Sequence, residues 1–448
     1  MLVRFVVSNF LSFNEETEFN MISGAFKTHR HHIYDIGKVN VLKASAIYGA
    51  NGAGKSNLIL AFEFLKSLIT EGKLTHSSNN IRFKLDEKNK EKPTMFEIEF
   101  SISKKIYIYG LKIQNQNIIE EWLFESGVLL EDKLIFERKQ GRGNKPLIKI
   151  ADKFNKSQKT KLLIELMKDN LLNQNELFLG KTDILKIKVI SDVRDWLHDN
   201  LIIIFPGAKF KALAHSINST PFRKFANELL ETFDTGISEL NLETIPFDKF
   251  FGEDDEELRK DLLELLEDIK DDEVISLGLS EDNILLAREN GKNVVKKIVS
   301  IHKDGANKNV SFELEEESDG TQRLLDFIPA FHVILNYKVT VIIDEIDQSL
   351  HPALLKALIH KIMSDNTTKG QLIFTTHESN LLDLDIFRQD EIWFAEKNRR
   401  HGSSQLYSLS EFKPRYDLDI RKGYLKGRFG AIPFLANLDE LKWNEINA

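Results

Sequence analysis

A glycine-rich loop set between two regular segments constrains this chain most. Ser45-Ala46-Ile47-Tyr48 is a short apolar run, Gly49-Ala50-Asn51-Gly52-Ala53-Gly54-Lys55-Ser56 follows it, and Asn57-Leu58-Ile59 opens a stretch with helical periodicity to about Thr70. The order is strand, loop, helix. Glycines let the backbone curl until successive N–H groups point inward, and the helix start contributes its positive end. With the spacing Gly49, four residues, Gly54-Lys55-Ser56, the loop suits a triphosphate. Lys55 would reach the β- and γ-phosphates, and the Ser56 hydroxyl would bind Mg²⁺. Average composition would give this eight-residue pattern in roughly one or two chains of this length in a hundred, so a mere glycine turn explains it poorly.

Further along, Val339 to Ile343 is a β-branched run ending in Asp344-Glu345, the form of a buried parallel strand that delivers acids at its carboxyl end. Asp344 would orient Mg²⁺ and Glu345 would polarise an attacking water. Alone the pattern is weak; after a phosphate loop it is strong. Gln371-Leu372-Ile373-Phe374-Thr375-Thr376-His377 is a second buried-type strand. Its position in the chain suits His377 to sense a γ-phosphate and brace the water.

Between these elements lies Glu317-Ser318-Asp319-Gly320-Thr321-Gln322-Arg323, heading a helix with Leu324, Leu325, Phe327 and Ile328 on its apolar side. Ser318 is a good N-cap, Gly320 permits close backbone approach, and a helix start of this kind is itself an anion site. Two phosphate sites in one chain make sense if two chains share a nucleotide.

The chain has 448 residues, 42% hydrophobic and 29% charged, which suits a soluble globular protein of two or three structural units. It has no cysteine, which excludes disulfides, thiolate zinc sites and cysteine nucleophiles. No signal-like leader and no run of about eighteen apolar residues is present, so a cytoplasmic protein without a membrane span is expected. The net charge of −8 argues against a broadly basic nucleic-acid surface, and the 31 phenylalanines read as core.

Residues 1 to about 50 alternate apolar and polar positions and read as edge strands leading to the loop. Residues 94 to 150 read as an antiparallel region with a turn at Gly141-Arg142-Gly143-Asn144. Helices are expected over Lys159–Asn173, Val193–Asn200 and Pro221–Phe233. The acidic segment 253–269 reads as a helix packed on its own domain in preference to a partner-docking coiled coil. Thr28-His29-Arg30-His31-His32 lacks a spacing that sets its rings on one face with an acidic partner. It reads as a solvated loop, and no metal ligand is assigned there. The segment Arg415–Pro433 reads as a docked tail.

At this point the motifs carry a resemblance. Ser318-Asp319-Gly320-Thr321-Gln322-Arg323 looks like the signature of ABC-type ATPases, Asp344-Glu345 their Walker B, Ile346 to Pro352 their D-loop region with Asp347, and His377 their switch histidine. The stretches Asn9-Phe10-Leu11-Ser12-Phe13, Ile47 to Asn57 and Tyr424 to Pro433 are similar to those of a prokaryotic group of AAA-labelled, ABC-class ATPases related to the overcoming-lysogenization-defect, RecF and SMC-type proteins. Members include the ATPase subunits of phage-defence systems of the PARIS (AriA) and RloA-like kinds. The signature departs from the usual form at Thr321, and neither Gln114 nor Gln116 has independent support as a Q-loop residue.

The resemblance implies an α/β fold: an ABC-type P-loop ATPase head, with a mixed, mainly parallel sheet, an antiparallel β lobe and an inserted, mainly helical domain. By residue this divides into 1–152, 153–275 and 276–448. ATP and Mg²⁺ are the implied cofactors, with Gly49, Asn51, Gly52, Ala53, Gly54, Lys55, Ser56 and Asn57 on ATP, and Ser56 and Asp344 on the metal. Glu345 and His377 are the expected catalytic residues. Head-to-head pairing would bring Ser318 and Gly320 in from a second copy, with Asp347 of the D-loop also at the ATP site, and with slow, regulatory hydrolysis and higher homo-oligomers. The functional expectation is a sensor and scaffold of an anti-phage system that controls a separate, TOPRIM-type nuclease in response to a phage trigger. A RecF- or SMC-like ATPase that clamps DNA directly is the alternative. A self-contained nuclease is disfavoured, because Asp344 and Asp347 are three residues apart where a TOPRIM pair is two apart.

Overall fold

The computed structural model describes residues 1–75, 81–128, 130–141, 145–208, 213–251, 256–267, 273–277, 284–416 and 418–432. The chain forms two compact units. The first comprises Met1–Phe205, Tyr337–Ile346 and Leu358–Ala448; the second comprises Pro206–Asn336 and Asp347–Ala357.

The first unit is built on two sheets. One has six strands in the order Leu201–Ile204, Thr340–Ile343, Gln371–Thr375, Ala44–Tyr48, Ile392–Lys397, Ser404–Ser408. The first five run parallel and the last is antiparallel. Strands of this kind are buried on both faces, which is why Thr340–Ile343 and Gln371–Thr375 are mainly apolar and buried along their whole length, their polar Thr340, Gln371 and Thr375 all hydrogen-bonded. The other sheet has seven antiparallel strands, ordered Pro146–Ile150, Lys133–Gln140, Asn117–Glu125, Lys105–Gln114, Thr94–Ile102, Leu2–Ser8, Thr17–Asn20.

The helix Lys55–Glu71 joins the two sheets through one core. Its Phe62 stacks on Phe5 of the seven-stranded sheet at 3.9 Å, and the same apolar cluster contains Ile342 and Ile373 of the parallel sheet. Removing a buried ring of this kind costs about 3–5 kcal/mol. Gln371, fully buried, ties the sheets by polar contact: it accepts from Leu2 N–H at 2.6 Å and donates to the carbonyls of Leu2 (3.1 Å) and Leu42 (3.0 Å).

The N-terminal run is therefore not an edge leading to the loop. Leu2–Ser8 lies inside the antiparallel sheet, between Thr94–Ile102 and Thr17–Asn20. Its burial pattern, with only Arg4 and Ser8 partly open, reflects that interior place.

The second unit holds a five-stranded sheet ordered Glu239–Pro246, Lys292–Lys303, Ile284–Glu289, Val274–Leu277, with Asn309–Glu313 also paired to the long central strand. Helices Leu213–Ile217, Thr220–Thr232 and Asp319–Asn336 pack their apolar sides, including Phe222, Leu230, Leu324 and Ile328, into one cluster with Leu285 and Ile298. The acidic helix, described over Glu256–Glu267, buries Leu262 and Leu266 against Phe247, Leu286 and Val295. Its leucine stripe is satisfied within its own unit.

The chain passes between the two units at 205/206, 336/337, 346/347 and 357/358. Residues 158–200 form helices whose Ile164, Met167, Val193 and Trp196 join the core of the first unit, with Trp196 stacked on Phe100 at 4.2 Å. Of the turn at 141–144, Arg142, Gly143 and Asn144 lie outside the described residues, as do residues 253–255 and 268–269 of the acidic segment and Pro433 of the tail. The tail before it is docked: Phe394 stacks on both Tyr424 and Phe429. No helix among the described residues is long and apolar enough to cross a membrane.

Candidate nucleotide site

The register of the parallel sheet aligns Ile343 with Phe374 and Thr375 with Ile47. The glycine loop, the acidic pair and His377 consequently leave the sheet at one carboxyl edge, with the Thr375 strand between the other two. Ligand sites of open α/β sheets form at this edge.

Each loop glycine has a separate reason. A Cβ at Gly49 would stand 2.4 Å from the Ala395 carbonyl. Gly54 has a φ of +107°, and a Cβ there would meet Ser404 Oγ at 2.2 Å and Ser12 Oγ at 2.9 Å. Gly52 has a φ of +73° with nothing within 4 Å of its Cβ position, so the backbone conformation alone requires glycine. Asn51 and Gly52 are exposed, whereas Ala53 is buried and donates its N–H to the Ala50 carbonyl at 3.1 Å.

Lys55 is buried at the first helical position. Its ammonium donates to the carbonyls of Gly49 (2.9 Å) and Ala50 (3.3 Å) and lies 3.0 Å from Nε2 of His377. This last contact puts a ring nitrogen and a fixed cation side by side at the mouth of the loop. Ser56 is half-buried in the first helical turn. The Asn57 amide donates to Ser12 Oγ at 2.7 Å, and Ser12 Oγ also accepts from Ser404 at 2.8 Å. Ser12 and Ser404 thus brace the loop from behind, and nothing but the resemblance around Asn9–Phe13 marked that stretch in the sequence.

The acidic pair is held by Thr375. Its hydroxyl donates to Asp344 Oδ1 at 2.5 Å and accepts the N–H of Glu345 at 2.8 Å, while Ile346 N–H reaches the Thr375 carbonyl at 3.1 Å. Asp344 is buried, and Glu345 is half-buried with φ at +51°, a left-handed conformation a glutamate rarely takes. Such strain concentrates at functional sites. A hydroxyl at the end of an apolar strand was the available signal for Thr375. The donor set, with a helix-start hydroxyl at Ser56, a buried carboxylate at Asp344 and a fixed ammonium at Lys55, fits a Mg²⁺–triphosphate: hard oxygen donors for the ion and a cation for the phosphates.

In the second unit, Ser318 Oγ accepts the N–H of Thr321 at 3.2 Å and so caps the helix Asp319–Asn336. Glu317, just before it, is anchored by Ser300 (2.5 Å) and His302 (2.6 Å) of the long strand. A Cβ on Gly320 would stand 2.9 Å from the Ser349 carbonyl. The signature and the segment carrying Asp347 therefore lie against each other in that unit. Neither glutamine is placed as a Q-loop residue: Gln114 donates to the Glu91 carbonyl and Gln116 sits in a hairpin turn with φ +61°.

The histidine cluster departs from the solvated-loop reading. His32 is 1% exposed, and its Nδ1 lies 3.0 and 3.1 Å from the two carboxyl oxygens of Glu391, itself fully buried. The acidic partner comes from far along the chain, beyond the reach of local spacing. Burial, reinforced by His31, His29, Lys43 and Arg388, holds the His32 imidazole down to about 2, while burial pushes the Glu391 carboxyl well above its usual range.

Residues 44–383 match the family described as "AAA domain, putative AbiEii toxin, Type IV TA system". The chain belongs to this family. The matched span runs from the phosphate-loop strand past His377 and so covers the glycine loop, the helix start at Ser318, Asp344-Glu345 and His377, while Ser12 and Ser404 lie outside it. No curated protein matches the chain. Among solved structures it is similar to a SmcHead bound to the C-winged helix domain of ScpA, at 15% identity over 92% of this chain and 99% of that one, with a TM-score of 0.44. It is also similar to the SMC head domain from Thermotoga maritima, at 13% identity over 91% and 98%, TM-score 0.36. A third likeness is to an Smc head with an extended coiled coil bound to a ScpA domain derived from Pyrococcus furiosus, at 16% over 92% and 97%, TM-score 0.40.

Proposed function

We propose that this chain is an ATP-hydrolysing subunit whose sites are completed by a second copy, and that it serves as the sensor and scaffold of an anti-phage defence system, controlling a separate TOPRIM-type nuclease effector. The observation that carries the reading is the assembly of Lys55, Asp344, Glu345 and His377 at one sheet edge, with Glu345 in a strained conformation. Ser318 and Gly320, on a capped helix start in the other unit, supply a second anion-binding terminus that a shared nucleotide explains. The family description names a toxin and a toxin–antitoxin system, which supports a defence role and not housekeeping transport.

In the proposed reaction Lys55 and the loop N–H groups bind the β- and γ-phosphates. Ser56 and Asp344 would hold Mg²⁺, which would offset phosphate charge. Glu345 accepts a proton as water attacks the γ-phosphorus, the bond to the β-phosphate oxygen breaks, and ADP and phosphate leave. His377 positions that water, and Asp347 and Ser318 of the second copy close the site. Turnover is slow and acts as a switch between paired and separated heads.

Mixing variants tests the shared site. Lys55→Ala and Ser318→Arg should each lack hydrolysis, but mixing them should restore part of it, because one of the two sites in a mixed pair regains both residues. No recovery on mixing, with each variant folded and Ser318→Arg still binding ATP, would place Ser318 outside the shared site. For the effector, co-purification with the products of neighbouring genes should yield a nuclease whose toxicity changes with Lys55→Ala. A chain that captures none and instead binds DNA in a salt-dependent, ATP-tightened manner would be a DNA clamp.

A further inference from the structure

The histidine cluster lies outside the nucleotide chemistry, and three features together give it the form of a metal centre. First, His29, His31 and His32 each present a ligand nitrogen within 4.8 Å of the others. Second, two of the rings are oriented by groups from a distant part of the chain. His29 Nε2 is 2.8 Å from the Leu384 carbonyl, an acceptor only, so that nitrogen carries the proton and Nδ1 keeps its lone pair. His32 Nδ1 faces the Glu391 carboxyl, leaving Nε2 as its ligand atom. Metal-binding histidines are held in this way, one nitrogen bonded to a carboxylate or carbonyl and the other turned to the ion. Third, burial is graded across the set: His32 is buried, His29 half-buried and His31 exposed, which leaves an entry path.

We propose that His29, His31 and His32 form a binding site for one divalent transition ion of the nitrogen-preferring kind, Zn²⁺, Co²⁺ or Ni²⁺, with its remaining position open to solvent. Three neutral imidazoles suit these ions, whereas Mg²⁺ and Ca²⁺ require oxygen. Closing around a tetrahedral ion with bonds of 2.0–2.1 Å brings the nitrogens to about 3.3 Å apart. The exposed His31 ring makes much of that movement, and the parallel His29 and His32 rings, 4.9 Å apart, tilt toward each other. The two cations that act on His32 from elsewhere in the chain, Lys43 and Arg388, are already engaged. Arg388 is bonded twice by Asp390, at 2.9 and 2.8 Å, and Lys43 donates to the carbonyls of Met363 and Asp365. The bound ion would clamp the segment before strand Ile33–Asp35 to residues 384–391, the stretch of chain that follows His377 and leads into strand Ile392–Lys397.

The test uses the full chain without an affinity tag. Titration with Co²⁺ should give one equivalent bound with the intense visible absorption of tetrahedral coordination, and Zn²⁺ should displace it and raise the thermal midpoint. His31→Ala, at the exposed position, should weaken binding by about 100-fold, and Glu391→Gln by about 10- to 100-fold. Melting of the metal-free His31→Ala protein at the wild-type temperature shows that the fold is intact. Equal Co²⁺ uptake by wild type and the His29→Ala/His31→Ala variant, or no stoichiometric uptake by wild type, would overturn the site. Neither outcome depends on ATP hydrolysis, so the result stands apart from the proposed function.

Discussion

The Thr375 hydroxyl donates to Oδ1 of Asp344 at 2.5 Å and at the same time accepts the backbone N–H of Glu345 at 2.8 Å. One side chain thereby fixes the carboxylate expected on the metal and the backbone of the residue expected to act as base, which holds φ at +51°. Thr375 is a positioning residue.

Thr375→Val keeps the shape and removes both bonds. It should cost about 1–3 kcal/mol of stability, since Glu345 N–H loses its partner, and lower the rate of ATP hydrolysis about tenfold or more. Thr375→Ser should recover most of both. Hydrolysis rates across a Mg²⁺ titration check this: a raised Mg²⁺ requirement in the valine variant alone marks an effect on Asp344 and not on folding.

The loop glycines should rank by their surroundings. Gly54→Ala meets Ser404 at 2.2 Å and takes an unfavourable φ, whereas Gly52→Ala has only the φ to bear. We expect Gly54→Ala to abolish nucleotide binding and to lose more stability, with backbone strain of this kind costing about 1–3 kcal/mol. Thermal unfolding and titration with a fluorescent ATP analogue measure both.

Much of this site was legible in the sequence because its parts are local. The glycine spacing around Lys55, the strand ending in Asp344-Glu345 and the capped helix start at Ser318 each need only a few consecutive residues, and periodicity fixed the strand or helix beside them. What escaped depends on long-range pairing. Ser12 and Ser404 meet behind Gly54 from opposite ends of the chain. His32 finds Glu391 across 359 positions, so a local spacing argument made its loop solvated. Similarly, nothing in the pattern of Leu2–Ser8 says that it pairs on both sides. The passage between units at 205/206 was not legible because helices 158–200 carry ordinary amphipathic faces, which do not declare the core they join.

Gly320→Val tests the contact between the signature and the D-loop segment. The added side chain would press on the Ser349 carbonyl, already 2.9 Å from a Cβ at that position. Hydrolysis should fall about tenfold or more while the affinity of the chain for ATP stays within about threefold, the pattern of a group needed only in the assembled state. Steady-state rates beside equilibrium nucleotide binding decide it.

The acidic helix should behave as part of a core. Leu262→Ala should cost about 2–5 kcal/mol, and Leu265→Ala, at a position 49% exposed, should stay within about 0.5 kcal/mol. Denaturant unfolding compares them. Equal, small effects would mean that the stripe serves a partner.

The solution mass of the Glu345→Gln protein, with and without ATP and Mg²⁺, tests directly whether two copies share a nucleotide. The mass should at least double on adding ATP and persist, because the nucleotide is held between two copies and not turned over. A protein that stays at one mass would contradict the shared site, and one that hydrolyses ATP at the wild-type rate would contradict the role of Glu345.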